Sequence, residues 1–152
     1  MPAGKVHLVF ELVTLPGWVL AGGLAGVEEG DLTVFSLSYV AASLLLSPDL
    51  DLARSDPSRR WGALRFLWAP YAALFRHRGI SHSPLGPLTR VLYLIALSAL
   101  VFLPLHLLAG VPLPSRFPLE IIPPMLAGVY LPHLLHVGLD RLVAGRKRYN
   151  RP

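Results

Sequence analysis

The histidines and carboxylates of this chain form short patterns that suit metal binding. The candidate metal ligands are His7, Asp49, Asp51, His77, His82, His136 and Asp140. The chain contains no cysteine, so a metal must be bound through imidazole and carboxylate groups. These ligands suit zinc, manganese or iron. We therefore predict a site for one or two divalent metal ions.

The carboxylates of Asp49 and Asp51 are separated by one residue and follow Pro48. At a helix end, both side chains can turn toward one point. Two carboxylates at close range repel each other unless a cation or a proton lies between them. The alternative is a solvated turn, since Ser-Pro-Asp is ordinary turn chemistry.

The stretch 75–84 is the densest in reactive side chains, and it contains His77 and His82. Gly79 between the two histidines permits a tight turn that brings both imidazoles inward. Arg76 and Arg78 suit a phosphate group or an anionic lipid surface. The alternative is a basic loop beside the membrane, but attraction to lipid requires only lysine and arginine.

Polar residues also occur inside apolar segments, where they are costly and usually functional. His133, His136 and Asp140 lie within about 60° on one helix face, so His136 and Asp140 either bind metal together or Asp140 orients the imidazole. The alternative is a hydrogen-bonded cluster between helices. His7 and Glu11 are also one turn apart, as a ligand and general base or as a local pair.

The elements that must position these residues are apolar helices. Hydrophobic residues make up 53% of the chain and charged residues 15%, against about a quarter charged in soluble domains. The apolar segments are 6–27, 32–46, 91–109 and 119–143. The second is shorter than the roughly 20 residues that span a bilayer, unless it extends through Leu50. We predict one all-α domain over residues 1–152, a small membrane bundle of about four transmembrane helices.

Charge predicts the orientation of this bundle. Most arginines fall in the connection 52–90 and in the C-terminal tail. The positive-inside rule places both regions, and the N-terminus, in the cytoplasm. All candidate ligands then lie on the cytoplasmic side of the inner membrane, and His106 lies on the other.

Residues 61–75 read as an amphipathic helix at the interface, bent or split by Pro70. Because Glu11 interrupts the first apolar run, we expect that run to be retained rather than cleaved as a signal peptide.

Several stretches together resemble an uncharacterised bacterial family of metal-binding membrane proteins. They are Met1–His7, Leu46–Asp51, Arg60–Trp68 and His77–Ser83, followed by a late His-x-x-x-Asp. The chain is also similar to inner-membrane-associated metal-dependent hydrolases. The resemblance implies the seven candidate ligands named above. Such families often have an acidic residue directly after the first histidine. Here that residue is Leu8, which leaves one ligand fewer unless Glu11 compensates.

The leading functional hypothesis is a metal-dependent hydrolase acting on a phosphoester such as a lipid headgroup. Its catalytic residues would be Glu11 as general base, with Arg78 and Ser83 binding the anionic substrate. Membrane lipid is the expected partner, and no nucleic acid is expected. The first alternative is a non-enzymatic metal sensor, carrier or structural-ion protein.

A lipid phosphatase with a histidine nucleophile would need Lys-x6-Arg-Pro and Ser-Gly-His elements that this chain lacks. A soluble helical domain is the structural alternative.

Overall fold

The computed structural model describes residues 4–75, 79–113, 116 and 118–149, with only the backbone described for 146–149. The α-helices are α1 (Gly4–Leu24), α2 (Glu29–Leu45), α3 (Asp56–Arg60), α4 (Ala69–Leu74), α5 (Gly86–Ala109) and α6 (Ile122–Tyr149). Short 3-10 helices cover Pro48–Asp51, Gly62–Trp68, Ile80–His82 and Leu119–Ile121. The described ranges contain no β-strand, which confirms the all-α prediction.

Four helical segments are long and apolar enough to cross a membrane. They are Gly4–Leu24, Glu29–Asp51, Gly86–Ala109 and Leu119–Gly145. This confirms the predicted number of long apolar helices. The second segment reaches 23 residues because the 3-10 turn at Pro48–Asp51 continues it. That continuation removes the apparent shortfall in its length.

Helices α2 and α6 form the largest helix–helix interface, and α1 packs against both. Gly128 of α6 allows this close approach, because a Cβ there would lie 2.5 Å from the carbonyl oxygen of Phe35. Helix α5 makes little contact with α6 and joins the rest of the molecule mainly at its N-terminal end. Its first turns place Tyr93 and Leu94 against the buried core of the long connection.

The connection between α2 and α5 is a series of short helices around Leu50, Trp68 and Tyr71. Residues 61–75 do not form one helix, since a 3-10 helix ends at Trp68 and α4 begins at Ala69. Pro70 lies in the first turn of α4, where its missing N–H removes no helical hydrogen bond. The predicted split at this proline is therefore confirmed. Burial raises the pKa of Tyr71, whose neutral hydroxyl lies 3.0 Å from that of Thr89.

The buried residues are mostly polar, while the long helices expose apolar side chains. In the described part of the chain, six buried residues are counted as hydrophobic core: Tyr39, Ala42, Leu50, Trp68, Tyr71 and Val129. Eleven buried residues are polar or charged. This distribution is the reverse of that expected for a soluble domain. The buried polar residues concentrate where the candidate ligands meet.

Candidate metal centre

One end of the bundle brings together five of the seven predicted ligands. They are His7, Asp49, His82, His136 and Asp140. Their elements alternate in direction: the start of α1, the turn after α2, the turn before α5 and the second half of α6. The ends predicted to be on the same side of the membrane are thus adjacent in space. His77 and the predicted substrate residue Arg78 lie outside the described residues.

Helices α1 and α6 place their polar residues opposite each other in two crosswise pairs. The Nε2 atom of His7 lies 3.2 Å from Oδ1 of Asp140. One turn away, Nδ1 of His136 lies 3.2 Å from Oε1 of Glu11. Glu11 and His136 are each about 97% buried. Neighbours on one helix therefore pair with the facing helix, rather than with each other as the local-pair interpretation expected.

Glu11 determines which nitrogen of His136 is available to a metal ion. An ionised carboxylate only accepts hydrogen bonds, so Nδ1 of His136 carries the proton and donates it. The lone pair is then on Nε2, and this atom lies 3.6 Å from Oδ2 of Asp49. Carboxylates that hold the second nitrogen of a ligating histidine are a regular feature of metal sites. The predicted role of Glu11 as a general base stays a prediction.

His82 is held in the equivalent tautomer by a serine. The hydroxyl of Ser81 donates to Oδ2 of Asp51 at 2.5 Å. That hydroxyl can therefore only accept from Nδ1 of His82, which lies 3.3 Å away. The lone pair of His82 is again on Nε2, which lies 3.4 Å from Oδ1 of Asp49. Asp51 thus reaches His82 through Ser81, whereas Asp49 faces both imidazoles.

The spacing of these atoms fits a metal ion better than a set of hydrogen bonds. Nitrogen–oxygen contacts of 3.4 and 3.6 Å exceed the usual 2.7–3.2 Å of N–H···O bonds. A tetrahedral ion with bonds of about 2.0–2.1 Å would hold its ligand atoms about 3.3–3.4 Å apart. Among the described residues, Nε2 of His136 is buried without a hydrogen-bond partner. The residues present therefore fit a divalent metal.

Two overlapping groups of ligands have their donor atoms within 4.8 Å of one another. One consists of Asp49, His82 and His136, and the other of His7, His136 and Asp140. The rings of His7 and His136 are stacked, with centroids 3.8 Å apart and planes 16° from parallel. Imidazole lone pairs lie in the ring plane, so stacked rings cannot direct both lone pairs at one ion. His136 would therefore share an ion with Asp49 and His82, and His7 and Asp140 would form an adjoining two-ligand position.

The charges in this cluster also favour bound cations. Four carboxylates lie here, those of Glu11, Asp49, Asp51 and Asp140. Among the described residues, the one arginine or lysine that is buried is Arg90, which is 0% exposed. Buried carboxylates without compensating charge are strongly unfavourable. One or two divalent ions would compensate the remaining negative charge.

Sequence reasoning missed Arg90 and left the role of His133 open. Arg90 directly precedes the third apolar segment, so its charge was attributed to the cytoplasmic connection. In the structure, the side chain of Arg90 is fully buried. Its Nη2 atom lies 2.8 Å from Nδ1 of His133. The other nitrogen of His133 lies 2.9 Å from the carbonyl oxygen of Ser83. Both nitrogens of His133 are occupied, so His133 is not a metal ligand in this arrangement.

The hydroxyl of Ser83 is engaged within its own turn. It donates to the carbonyl oxygen of Ile80 at 2.8 Å and accepts from the amide of Leu85 at 3.2 Å. This geometry makes Ser83 a residue that shapes the turn before α5. Its predicted contact with substrate remains a prediction. His106 lies at the opposite end of α5, where Nδ1 is 2.9 Å from the carbonyl oxygen of Val111.

The fold and the cluster define a class of protein: an all-α helical bundle with a candidate histidine–carboxylate metal centre at one end. Residues 2–150 match the family described as uncharacterized metal-binding protein (DUF2227), and the chain belongs to this family. It is also 51% identical over 61 residues to an uncharacterized protein of Aquifex aeolicus (strain VF5). That alignment covers 40% of this chain and 43% of the Aquifex protein. No solved structure matches the chain.

Proposed function

We propose that this metal-binding protein is a membrane-embedded hydrolase that cleaves a phosphoester of a lipid-like substrate at the cytoplasmic face. The observation that carries the proposal is the trio of Asp49, His82 and His136. Catalytic zinc sites have three protein ligands and keep an open position, whereas structural sites are fully coordinated by protein. The side chains of Asp49 and His82 are 20% and 10% exposed, so the trio lies near the protein surface.

The distribution of apolar surface supports the membrane location. The long helices expose large side chains, such as Leu24 at 82% and Leu108 at 87%. Soluble monomers rarely expose continuous apolar surface on this scale. The arginines of the connection 52–90 and the C-terminal tail support a cytoplasmic position for the metal centre.

A bound divalent ion would supply a Lewis acid that lowers the pKa of a water molecule and polarises a phosphoryl oxygen. The residues of this chain supply position and charge. Glu11 and Ser81 hold His136 and His82 with their Nε2 atoms toward Asp49. Glu11 and His136 are almost fully buried, which strengthens the electrostatic interaction between them. We assign Arg78 to the anionic group of the substrate, because it lies four residues before His82 in the chain.

An apolar groove supports a substrate with an acyl chain. It has a volume of about 820 Å³ and lies between α5 and the pair α2 and α6. Ligand pockets have volumes of about 300–1,000 Å³. Leu46 and Val129 line both this groove and the narrow crevice that reaches Glu11 and His133. The groove therefore shares two wall residues with a crevice beside the candidate metal ligands, which supports an acyl chain bound near the ion.

The test combines metal content with hydrolysis. Protein purified in detergent is analysed for bound metal and assayed with short-chain and long-chain phosphatidic acid. We expect bound divalent metal, metal-dependent phosphate release, and faster release from the long-chain lipid. His136→Ala should lose the metal and the activity together, whereas His106→Ala, at the other end of α5, should keep both.

The groove has its own control. Ala99→Phe places bulk in the groove, whereas Ala96→Phe on the same helix lies outside its lining. We expect the first substitution alone to slow release from the long-chain lipid, with metal content unchanged. A metal-loaded protein that hydrolyses neither lipid would refute the hydrolase and favour the non-enzymatic alternative. Absence of metal from the wild type would refute both.

A further inference from the structure

We propose that Arg90 and His133 are positioning residues that hold His82 in place as a metal ligand. This inference rests on the metal centre of the proposed function. Neither residue belongs to the two candidate ligand groups. Both act on the main chain of the turn Ile80–His82 and of the residue that follows it.

Arg90 contacts the residue before His82 through a long hydrogen bond. Its Nη1 donates to the carbonyl oxygen of Ser81 at 3.4 Å, and its Nη2 lies 2.8 Å from Nδ1 of His133. The guanidinium is fully buried in the first turns of α5. An arginine buried in an apolar helix is expensive, and such residues are usually functional.

His133 fixes the residue after His82. Arginine has no acceptor, so Nδ1 of His133 accepts from Arg90 and the proton of the ring is on Nε2. Nε2 therefore donates to the carbonyl oxygen of Ser83 at 2.9 Å. A single chain of hydrogen bonds thus joins α5, α6 and both carbonyl groups that flank His82.

The turn is also held closely against α5. A Cβ on Gly86 would lie 2.3 Å from the carbonyl oxygen of Ser81, the same oxygen that accepts from Arg90. Only glycine permits this approach without a shift of the turn. On its other side, the hydroxyl of Ser81 bonds to Asp51 and faces Nδ1 of His82. Main chain and side chain of Ser81 are therefore both fixed, and this determines where the imidazole of His82 points.

The experiment measures the affinity of the purified full-length protein for Zn²⁺, by competition with a chelating dye. We compare Arg90→Met, His133→Leu and His133→Gln with the wild type, and use the exposed Arg65→Met as a matched control. Residues that orient ligands typically contribute about 10- to 100-fold in metal affinity. We expect losses of this size in Arg90→Met and His133→Leu, and none in Arg65→Met.

His133→Gln is the conservative variant. A glutamine amide can accept from Arg90 through oxygen and donate to Ser83 through nitrogen, so it should recover most of the lost affinity. The visible spectrum of the Co²⁺-loaded protein should change in His133→Leu and return toward that of the wild type in His133→Gln. Helix content and melting temperature are recorded in parallel.

A double-mutant cycle separates a role through His82 from a general structural role. In a His82→Ala background, Arg90→Met should not weaken Zn²⁺ binding further, because the residue it positions is gone. A further loss of the same size in that background would overturn the inference. If Arg90→Met fails to fold, the comparison of His133→Leu with His133→Gln decides, and equal affinity in those two variants would overturn it.

The inference and the proposed function fail in different ways. If the wild type binds no Zn²⁺, the metal centre itself is refuted. If the wild type binds Zn²⁺ and both Arg90→Met and His133→Leu bind it equally well, the metal centre stands and the positioning role is refuted.

Discussion

Replacement of Glu11 tests whether this carboxylate acts through His136. Glu11→Leu removes the acceptor for Nδ1 of His136, so the imidazole loses its fixed tautomer and orientation. Glu11→Gln retains an acceptor oxygen but removes the charge. Because Glu11 and His136 are both almost fully buried, solvent cannot replace the lost interaction.

The hydrogen bond between these residues sets the expected magnitude. A hydrogen bond to a charged group contributes about 1.5–3 kcal/mol, and about 1.4 kcal/mol corresponds to tenfold in affinity. Glu11→Leu should therefore weaken metal binding about 10- to 100-fold, which agrees with the range for residues that orient metal ligands. A neutral hydrogen bond contributes about 0.5–1.5 kcal/mol, so Glu11→Gln retains part of the interaction. Its metal affinity should therefore fall only about tenfold.

The assay is Zn²⁺ affinity, followed by hydrolysis at saturating Zn²⁺. Glu28→Leu is the control, because Glu28 lies in the exposed turn at the other end of the bundle. A general base would show the opposite pattern, with Zn²⁺ affinity intact and hydrolysis lost in Glu11→Gln. Wild-type affinity in Glu11→Leu would refute the idea that Glu11 orients His136.

Three further predictions test the adjoining ligand position, the helix packing and the membrane location. His7→Ala and Asp140→Asn should each lower the metal content by about one ion per chain in elemental analysis while the Asp49–His82–His136 trio stays loaded, and unchanged content would exclude the adjoining position. Gly128→Ala should destabilise the fold by about 1–3 kcal/mol in thermal unfolding, because its Cβ would meet α2, whereas Gly138→Ala has open space and should not. The protein should stay in the membrane fraction after an alkaline wash, since four helices are apolar enough to span a bilayer, and release into the supernatant would refute the membrane location.

Much of the fold was predictable because apolar helices have a simple signature. Long apolar segments separated by charged or proline-rich connections indicate helices, and alternating directions place every second connection on one side. This reasoning predicted that His7, Asp49, His82, His136 and Asp140 lie at one end of the bundle. It left open whether the second segment extends through Leu50, because proline after a helix is equally compatible with a loop, and the structure adds a 3-10 turn there.

The pairing within the site was not predictable. Two residues one turn apart on a helix point in nearly the same direction, so both contact the facing helix. The spacing of His7 and Glu11, and of His136 and Asp140, suggests local pairs when only one helix is considered. In the structure, the partners lie across the α1–α6 interface. The register between two helices depends on their side-chain packing, which a single sequence does not reveal.

The sequence by itself determined the helical class, the lack of thiolate ligands and the set of imidazoles and carboxylates available for a metal. These follow from composition, hydropathy and helical periodicity, which are local properties. Only the tertiary structure decided which nitrogen of His82 and of His136 is available, since their tautomers depend on Ser81 and Glu11. It also assigned Arg90 to the buried side of the site, because burial of a charge depends on contacts between distant segments.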